Sequence, residues 1–287
     1  MGQPRRHKPS DYGIGVTICA AAVCEDGRGI VAVCDRLISI GSVTSDAVLK
    51  AHRIHGTRWV AFVAGNDVGY ASGVFQGVRD LLSGSRGTSE DVRRACEEIC
   101  AKEIQRKIQP ILTKWGVTRE QVLAGPTPSL HPSVLNTIKA ALNKEDSLEC
   151  SFLVCGFGPE HSDEGTILEI SPQGTIRQFH DQTGYWAIGS GSDRALNAFL
   201  RRQYGPRTKF PVCIYCVCEA KFSAERVKSV GRRTWLFLID QDGVHVQMGE
   251  TKLMSDIRKA CRAFRPVPSR LTRRIAGIIP QRFNEYE

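Results

Sequence analysis

The chain lacks any apolar run near the ~18 residues that a membrane-crossing helix needs, so no transmembrane span is expected. Its first residues, Met1-Gly2-Gln3-Pro4-Arg5-Arg6, are polar and lack the apolar core of a secretion signal. Both absences point to a cytoplasmic protein with no membrane partner. Acidic residues are outnumbered, with 30 Asp and Glu against 39 Lys and Arg, a formal charge of +9. The excess sits at the ends. Arg5, Arg6 and Lys8 face only Asp11 among residues 1–16, and eight basic residues from Arg258 to Arg282 face only Glu285 and Glu287. The nearly neutral body argues against a nucleic-acid groove across it. Aromatic residues are few in the basic C-terminal segment (Phe264, Phe283, Tyr286), so base stacking has little to work with. A nucleic-acid partner is therefore not expected. No second CxxC or His pair lies at ligand spacing from Cys213-Ile-Tyr-Cys216-Val-Cys218, so zinc is not expected there.

What is present is the composition of a globular protein: 287 residues, 41% hydrophobic and 24% charged, which excludes a mainly disordered chain. That length fits one large domain or two of about 150 residues each. The eleven cysteines are an odd, scattered set, and without a secretion signal they read as reduced, buried thiols. Cys96 and Cys100, four apart on an expected helix, read as core packing in the same way.

Short apolar runs at 17–24 and 29–35 flank Glu25-Asp26-Gly27-Arg28, which predicts a hairpin. An apolar strand over 58–64 ends at Gly65, and Val68, Ala71, Phe75, Val78 and Leu82 give the next segment helical spacing. Thr88 or Ser89 caps a second helix reaching about 113. Residues 114–149, with a short helix at 133–143, read as an elaboration on the core. Strands return at 151–157, 166–170, 175–179 and 185–188, followed by Gly189-Ser190-Gly191-Ser192 and two helices, the second over 211–229. A hairpin about Gln241-Asp242-Gly243, a helix near 252–263 and a basic tail over 264–287 complete the chain. The prolines 266, 268 and 280 argue against a long helix in that tail. Strands, helices, strands, helices and a final hairpin fit an α+β fold of antiparallel sheets better than a βαβ array.

The first hairpin brings chemistry together. A four-residue loop at 25–28 pairs residues whose numbers sum to about 53, so Thr17 lies opposite Arg36 and beside Asp35. A hydroxyl, a carboxylate and a guanidinium thus meet at one end of an otherwise apolar sheet. Polar residues at a strand end are also what solvent exposure produces.

At this point the sequence resembles the proteasome-type N-terminal nucleophile hydrolases, especially the proteasome-like bacterial branch. The resemblance spans about 17–263. It rests on Thr17 opening the first strand, Gly27 in the turn, and Val31-Ala-Val-Cys-Asp35-Arg36 closing the hairpin. Lys50, Ala64-Gly65 before a long helix, Leu153-Val-Cys-Gly156-Phe and Gly189-Ser190-Gly191-Ser192 follow in family order. The resemblance implies a four-layer αββα sandwich and catalysis by an N-terminal threonine acting on a peptide or amide, without a cofactor. Homo-oligomers, stacked as rings in the family, are implied as partners.

The implied roles have a physical basis. A threonine hydroxyl is a weak nucleophile that needs a base. A free α-amine, with a pKa of about 7.7–8.0, is suited to that task. Thr17 is then the nucleophile, Lys50 the fixed positive charge beside it, and Asp35 the partner that orients Lys50. The Gly65 N–H is the implied oxyanion donor, and Ser190 supports the amine or the proton path.

The sequence departs from the family pattern twice. Thr17 is internal, preceded by Gly15-Val16, whereas family precursors cleave themselves after a glycine. Members of the bacterial branch often begin Met-Thr, and a GTG start codon reads as valine when taken as internal. The expectation is a mature chain beginning at Thr17, with the polar leader 1–16 removed or untranslated. The second departure is Val227-Lys-Ser-Val-Gly231-Arg-Arg-Thr234, which lacks the family's further Asp. The alternative reading is a non-catalytic, proteasome-like scaffold or ring subunit.

Overall fold

A computed structural model describes residues 17–36, 38–40, 43–45, 50–65, 68–127, 130–160, 164–248, 251–262 and 269–277. The leader and the last ten residues lie outside these. Strands β1 (Cys19–Cys24) and β2 (Gly29–Asp35) form the expected hairpin. Their register runs from Cys19 opposite Cys34 to Cys24 opposite Gly29, as the loop length requires. The turn places Glu25, Asp26 and Gly27 at φ of 51°, 55° and 91°, the left-handed region that closes a tight connection. After the small hairpin of β3 (Ile38–Ile40) and β4 (Val43–Ser45) come β5 (Ala51–His55) and β6 (Trp59–Gly65).

Helices α1 (Val68–Leu82) and α2 (Ser89–Trp115) follow. Thr88 caps α2 through a reciprocal box with Asp91, satisfying two of its otherwise orphaned N–H groups. Helices α3 (Arg119–Ala124) and α4 (Pro132–Glu145) lead to β7 (Cys150–Gly156), β8 (Thr166–Ile170), β9 (Ile176–Gln178) and β10 (Tyr185–Ile188). Then come α5 (Ser192–Arg201), α6 (Phe210–Ala224), β11 (Thr234–Asp240), β12 (Gly243–Met248), α7 (Lys252–Arg262) and α8 (Ser269–Ala276).

The fold is α+β, with two five-stranded antiparallel sheets ordered β10-β1-β2-β11-β12 and β5-β6-β7-β8-β9. Side-chain alternation divides the core. Ile18, Ala20, Ala22, Val31 and Val33 turn to α5, α6, α7 and α8, while Cys19, Ala21, Ala32 and Cys34 meet Phe62, Leu153 and Cys155 of the other sheet. The opposite face of the second sheet packs Trp59, Val63, Phe152 and Val154 against α1 and α2. Among the described residues no helix is long and apolar enough to cross a membrane.

Besides the β3–β4 hairpin, which the sequence did not announce, four elements differ from the sequence expectation. Helix α6 stops at Ala224, short of 229, and residues 225–233 form a connecting loop. Strand β5, Ala-His-Arg-Ile-His, is mostly polar and half-exposed at a sheet edge, which hides its period. Helix α3 carries its own capping box, Thr118 with Gln121. Part of the expected basic tail belongs to the folded body: α8 buries Leu271 and Ile275 in the core under α6 and α7. The neighbouring prolines lie outside this eight-residue helix, so they limit its length without preventing it.

Candidate active site

The site begins at the open end of the first hairpin. The Asp35 N–H donates to the Ile18 carbonyl at 3.1 Å, extending the ladder one pair and setting Asp35 beside Thr17. Thr17, Asp35 and Lys50 are all fully buried. The Thr17 hydroxyl donates to Asp35 Oδ1 and accepts from Lys50 Nζ. Lys50 Nζ also lies 3.0 Å from Asp35 Oδ1, closing a triangle of hydroxyl, carboxylate and ammonium. Such a pair persists without water only when further hydrogen bonds satisfy it. The backbone supplies them: Ile18 N–H donates to Oδ1 at 3.3 Å and Gly231 N–H to Oδ2 at 2.7 Å.

Lys50 reaches the triangle from the start of the second sheet. Its carbonyl accepts from Val63 N–H at 2.9 Å, while the Val63 carbonyl accepts from the Cys19 thiol at 3.4 Å. The two sheets are thus joined beside the site. The adjacent thiols stay protonated. Burial pushes Cys34 up to about 12, reinforced by the Asp35 charge and opposed by Lys50, and burial drives Cys19 well above its ordinary value. The hydroxyl of Thr17, rather than a thiolate, is therefore the candidate nucleophile.

The carbonyl of Thr17 sits in a second group of donors. Ser190 Oγ donates to it at 3.3 Å and Gly191 N–H at 3.4 Å. Gly189 has φ +98°, and a Cβ there would stand 2.4 Å from the Thr17 carbonyl oxygen, so the turn demands glycine twice over. Ser190 Oγ also lies 2.8 Å from Ser229 Oγ. Gly65 ends β6 opposite Cys150, where an added Cβ would be 2.3 Å from the Cys150 Cβ. Close strand packing accounts for that glycine. Its N–H makes no hydrogen bond to Thr17, Asp35 or Lys50 among those described, so the triangle assembles without it.

Sequence reasoning missed three contributors. Ser229 and Gly231 lie in the 227–234 stretch that lacks the family's aspartate, and they supply a hydroxyl and a backbone N–H to the same neighbourhood. The third is Lys221, fully buried on the largely apolar α6, where Glu219 is the other buried charge. Its ammonium donates to the carbonyls of Gly231 at 2.9 Å and Arg232 at 2.8 Å, and to Glu225. Glu225 is in turn held by Arg258, whose Nη2 donates to the Arg232 carbonyl at 3.0 Å. These contacts fix the loop that presents Gly231 N–H to Asp35. A lysine within an apolar helical run was the available signal. Burial lowers the Lys221 pKa and the charge of Glu225 opposes that shift.

Cys213, Cys216 and Cys218 all sit buried in α6 among apolar neighbours. Among the described residues no three His, Cys, Asp or Glu gather as metal ligands would. Arg36 stands over the Trp235 ring, 5.2 Å from its centre. The chain matches no known protein-family model, and a search of curated proteins finds no match.

Proposed function

We propose that the protein is a threonine-nucleophile amidohydrolase or peptidase, built as a proteasome-like four-layer αββα sandwich. The observation that carries this reading is the Thr17 hydroxyl clasped between Asp35 and Lys50 at the end of the first hairpin. The separation of core residues between two sheets and two sets of helices supports the architecture.

In a chain beginning at Thr17, the free α-amine takes the hydroxyl proton and Oγ attacks the substrate carbonyl. The Lys50 ammonium holds the developing alkoxide low in energy, and Asp35 keeps Lys50 aimed at it. The Gly65 N–H is the proposed donor to the oxyanion, a role typically worth about 10²–10³ in rate. As the C–N bond breaks, the amine leaves with the proton held on Thr17, and an ester remains on Oγ. Water then hydrolyses that ester, with the same amine as base. Ser190 and Ser229 steady the Thr17 backbone through this cycle. The substrate is a peptide or other amide, and the working form is a cytoplasmic homo-oligomer. Leu123 and Leu200, 75% and 62% exposed, offer apolar contacts on helical surfaces.

One observation favours a second reading, a non-catalytic ring or scaffold subunit: Thr17 is fully buried, and a nucleophile must be reachable. An acylating probe of the β-lactone type separates the two. The enzyme reading expects a single covalent adduct that Thr17→Ala abolishes. A chain that begins at Thr17 and takes no adduct is the scaffold.

A further inference from the structure

The loop that serves Asp35 has a second face, away from Thr17. There α6, α7 and residues 225–233 border an open concavity of about 520 Å3, within the ~300–1,000 Å3 range of small-molecule sites. Arg226, Arg232, Arg233, Arg258 and Arg262 line it, with Phe222 among the apolar surfaces. Both of its carboxylates are already paired, and of the cations that hold them only Arg258 lines it. Arg202 grips Glu219 with two hydrogen bonds, of 2.6 and 2.9 Å, and the buried Lys221 ammonium holds Glu225. Arg258 is not loose: it lies 4.0 Å from the centre of the Phe222 ring while bonding Glu225 and the Arg232 carbonyl. The side chains of Arg232, Arg226, Arg233 and Arg262 reach the exposed rim.

We propose that this concavity is a binding site for a small, multiply charged phosphoryl anion. Guanidinium groups present paired N–H donors whose spacing matches the oxygens of phosphate, and several converging on one hollow favour a ligand with more than one charge. Stacking on Phe222 and the bond to the Arg232 carbonyl hold Arg258 in place before a ligand arrives, which limits the ordering cost of binding. The site is independent of the Thr17 chemistry, although it shares the loop carrying Gly231 and Ser229.

The test is calorimetric titration of the full chain with inorganic pyrophosphate at fixed ionic strength. Citrate serves as a carboxylate of comparable charge, and a single-stranded RNA oligonucleotide as a competitor for a general basic surface. Variants are the double exchange Arg232→Gln/Arg233→Gln and, on the distant helix α2, Arg94→Gln. Both affect exposed side chains, and the backbone carbonyl of Arg232 remains available to Lys221. The expected result is saturable binding of one pyrophosphate per chain, tighter than citrate, weakened at least about tenfold by the double exchange and unchanged by Arg94→Gln. The proposal is overturned if pyrophosphate does not saturate, if citrate binds as tightly, if the two variants lose affinity alike, or if only RNA binds. None of these outcomes depends on whether Thr17 reacts.

Discussion

Asparagine at position 35 keeps the shape of aspartate and removes its charge, so it isolates the electrostatics of the triangle. In the native chain Oδ1 accepts from Thr17, Ile18 N–H and Lys50, and Oδ2 accepts from Gly231 N–H. An asparagine amide must turn its NH₂ toward one of these donor sets. Either way a donor faces a donor, and the buried Lys50 ammonium loses its counter-charge at 3.0 Å. Breaking a buried pair from one side costs about 3–5 kcal/mol. Lys50→Met is the informative contrast. It leaves the carboxylate with Ile18 N–H, Gly231 N–H and the Thr17 hydroxyl, so its cost falls below that of Asp35→Asn by about 1 kcal/mol or more. The double variant should be more stable than the sum of the singles allows, with a coupling of about 0.5–3 kcal/mol. Urea unfolding at pH 7, followed by far-ultraviolet circular dichroism, measures all three. A cost below about 1 kcal/mol for Asp35→Asn, or additive singles, would refute the claim that this pair is dry and mutually dependent.

Other expectations follow from the same geometry. Lys221→Met removes the donor to the Gly231 carbonyl and leaves Glu225 and the Arg232 carbonyl with Arg258 alone of the two cations, so it should destabilise by about 3 kcal/mol or more and raise amide exchange at Gly231; unchanged exchange there would detach Lys221 from the site. Ile275→Ala should cost about 2–5 kcal/mol, because α8 is part of the core; a cost near zero would return residues 269–276 to the status of a tail. Burial holds the thiols of Cys34, Cys100, Cys216 and Cys261 at about 12. An unfolded chain loses these protons near its ordinary thiol value while the folded chain keeps them, so stability is full below about pH 8.5 and falls as pH rises toward 12. A urea midpoint that rises between pH 8.5 and 10.5 would contradict those four directions.

How much of this was legible depended on where the information resides. The β1–β2 register followed from loop length, because antiparallel pairing leaves no freedom once the turn is counted. Strand β8 and the cap at Thr88 were equally local, each written in a few consecutive residues. Thr17 and Asp35 could be brought together by counting, whereas Lys50 was joined to them only through the family resemblance. Gly231 donates through its backbone, and a backbone N–H has no sequence signature. Ser229 is an ordinary loop serine until Ser190 is placed 2.8 Å away. Strand β5 and helix α8 were hidden for opposite reasons, one by polar residues at an edge and the other by charge surrounding two apolar positions, Leu271 and Ile275, at i and i+4.

The claim on which the catalytic reading depends is that Thr17 carries a free amine in the working protein. Expression of the gene from its own upstream DNA, followed by N-terminal sequencing of the purified product, tests it most directly. The account predicts Thr17-Ile-Cys-Ala-Ala as the first residues read. A native product that begins at Met1 or Gly2 would leave Thr17 as an internal residue, contradict the catalytic reading, and make the triangle with Asp35 and Lys50 a feature of a subunit that performs no chemistry.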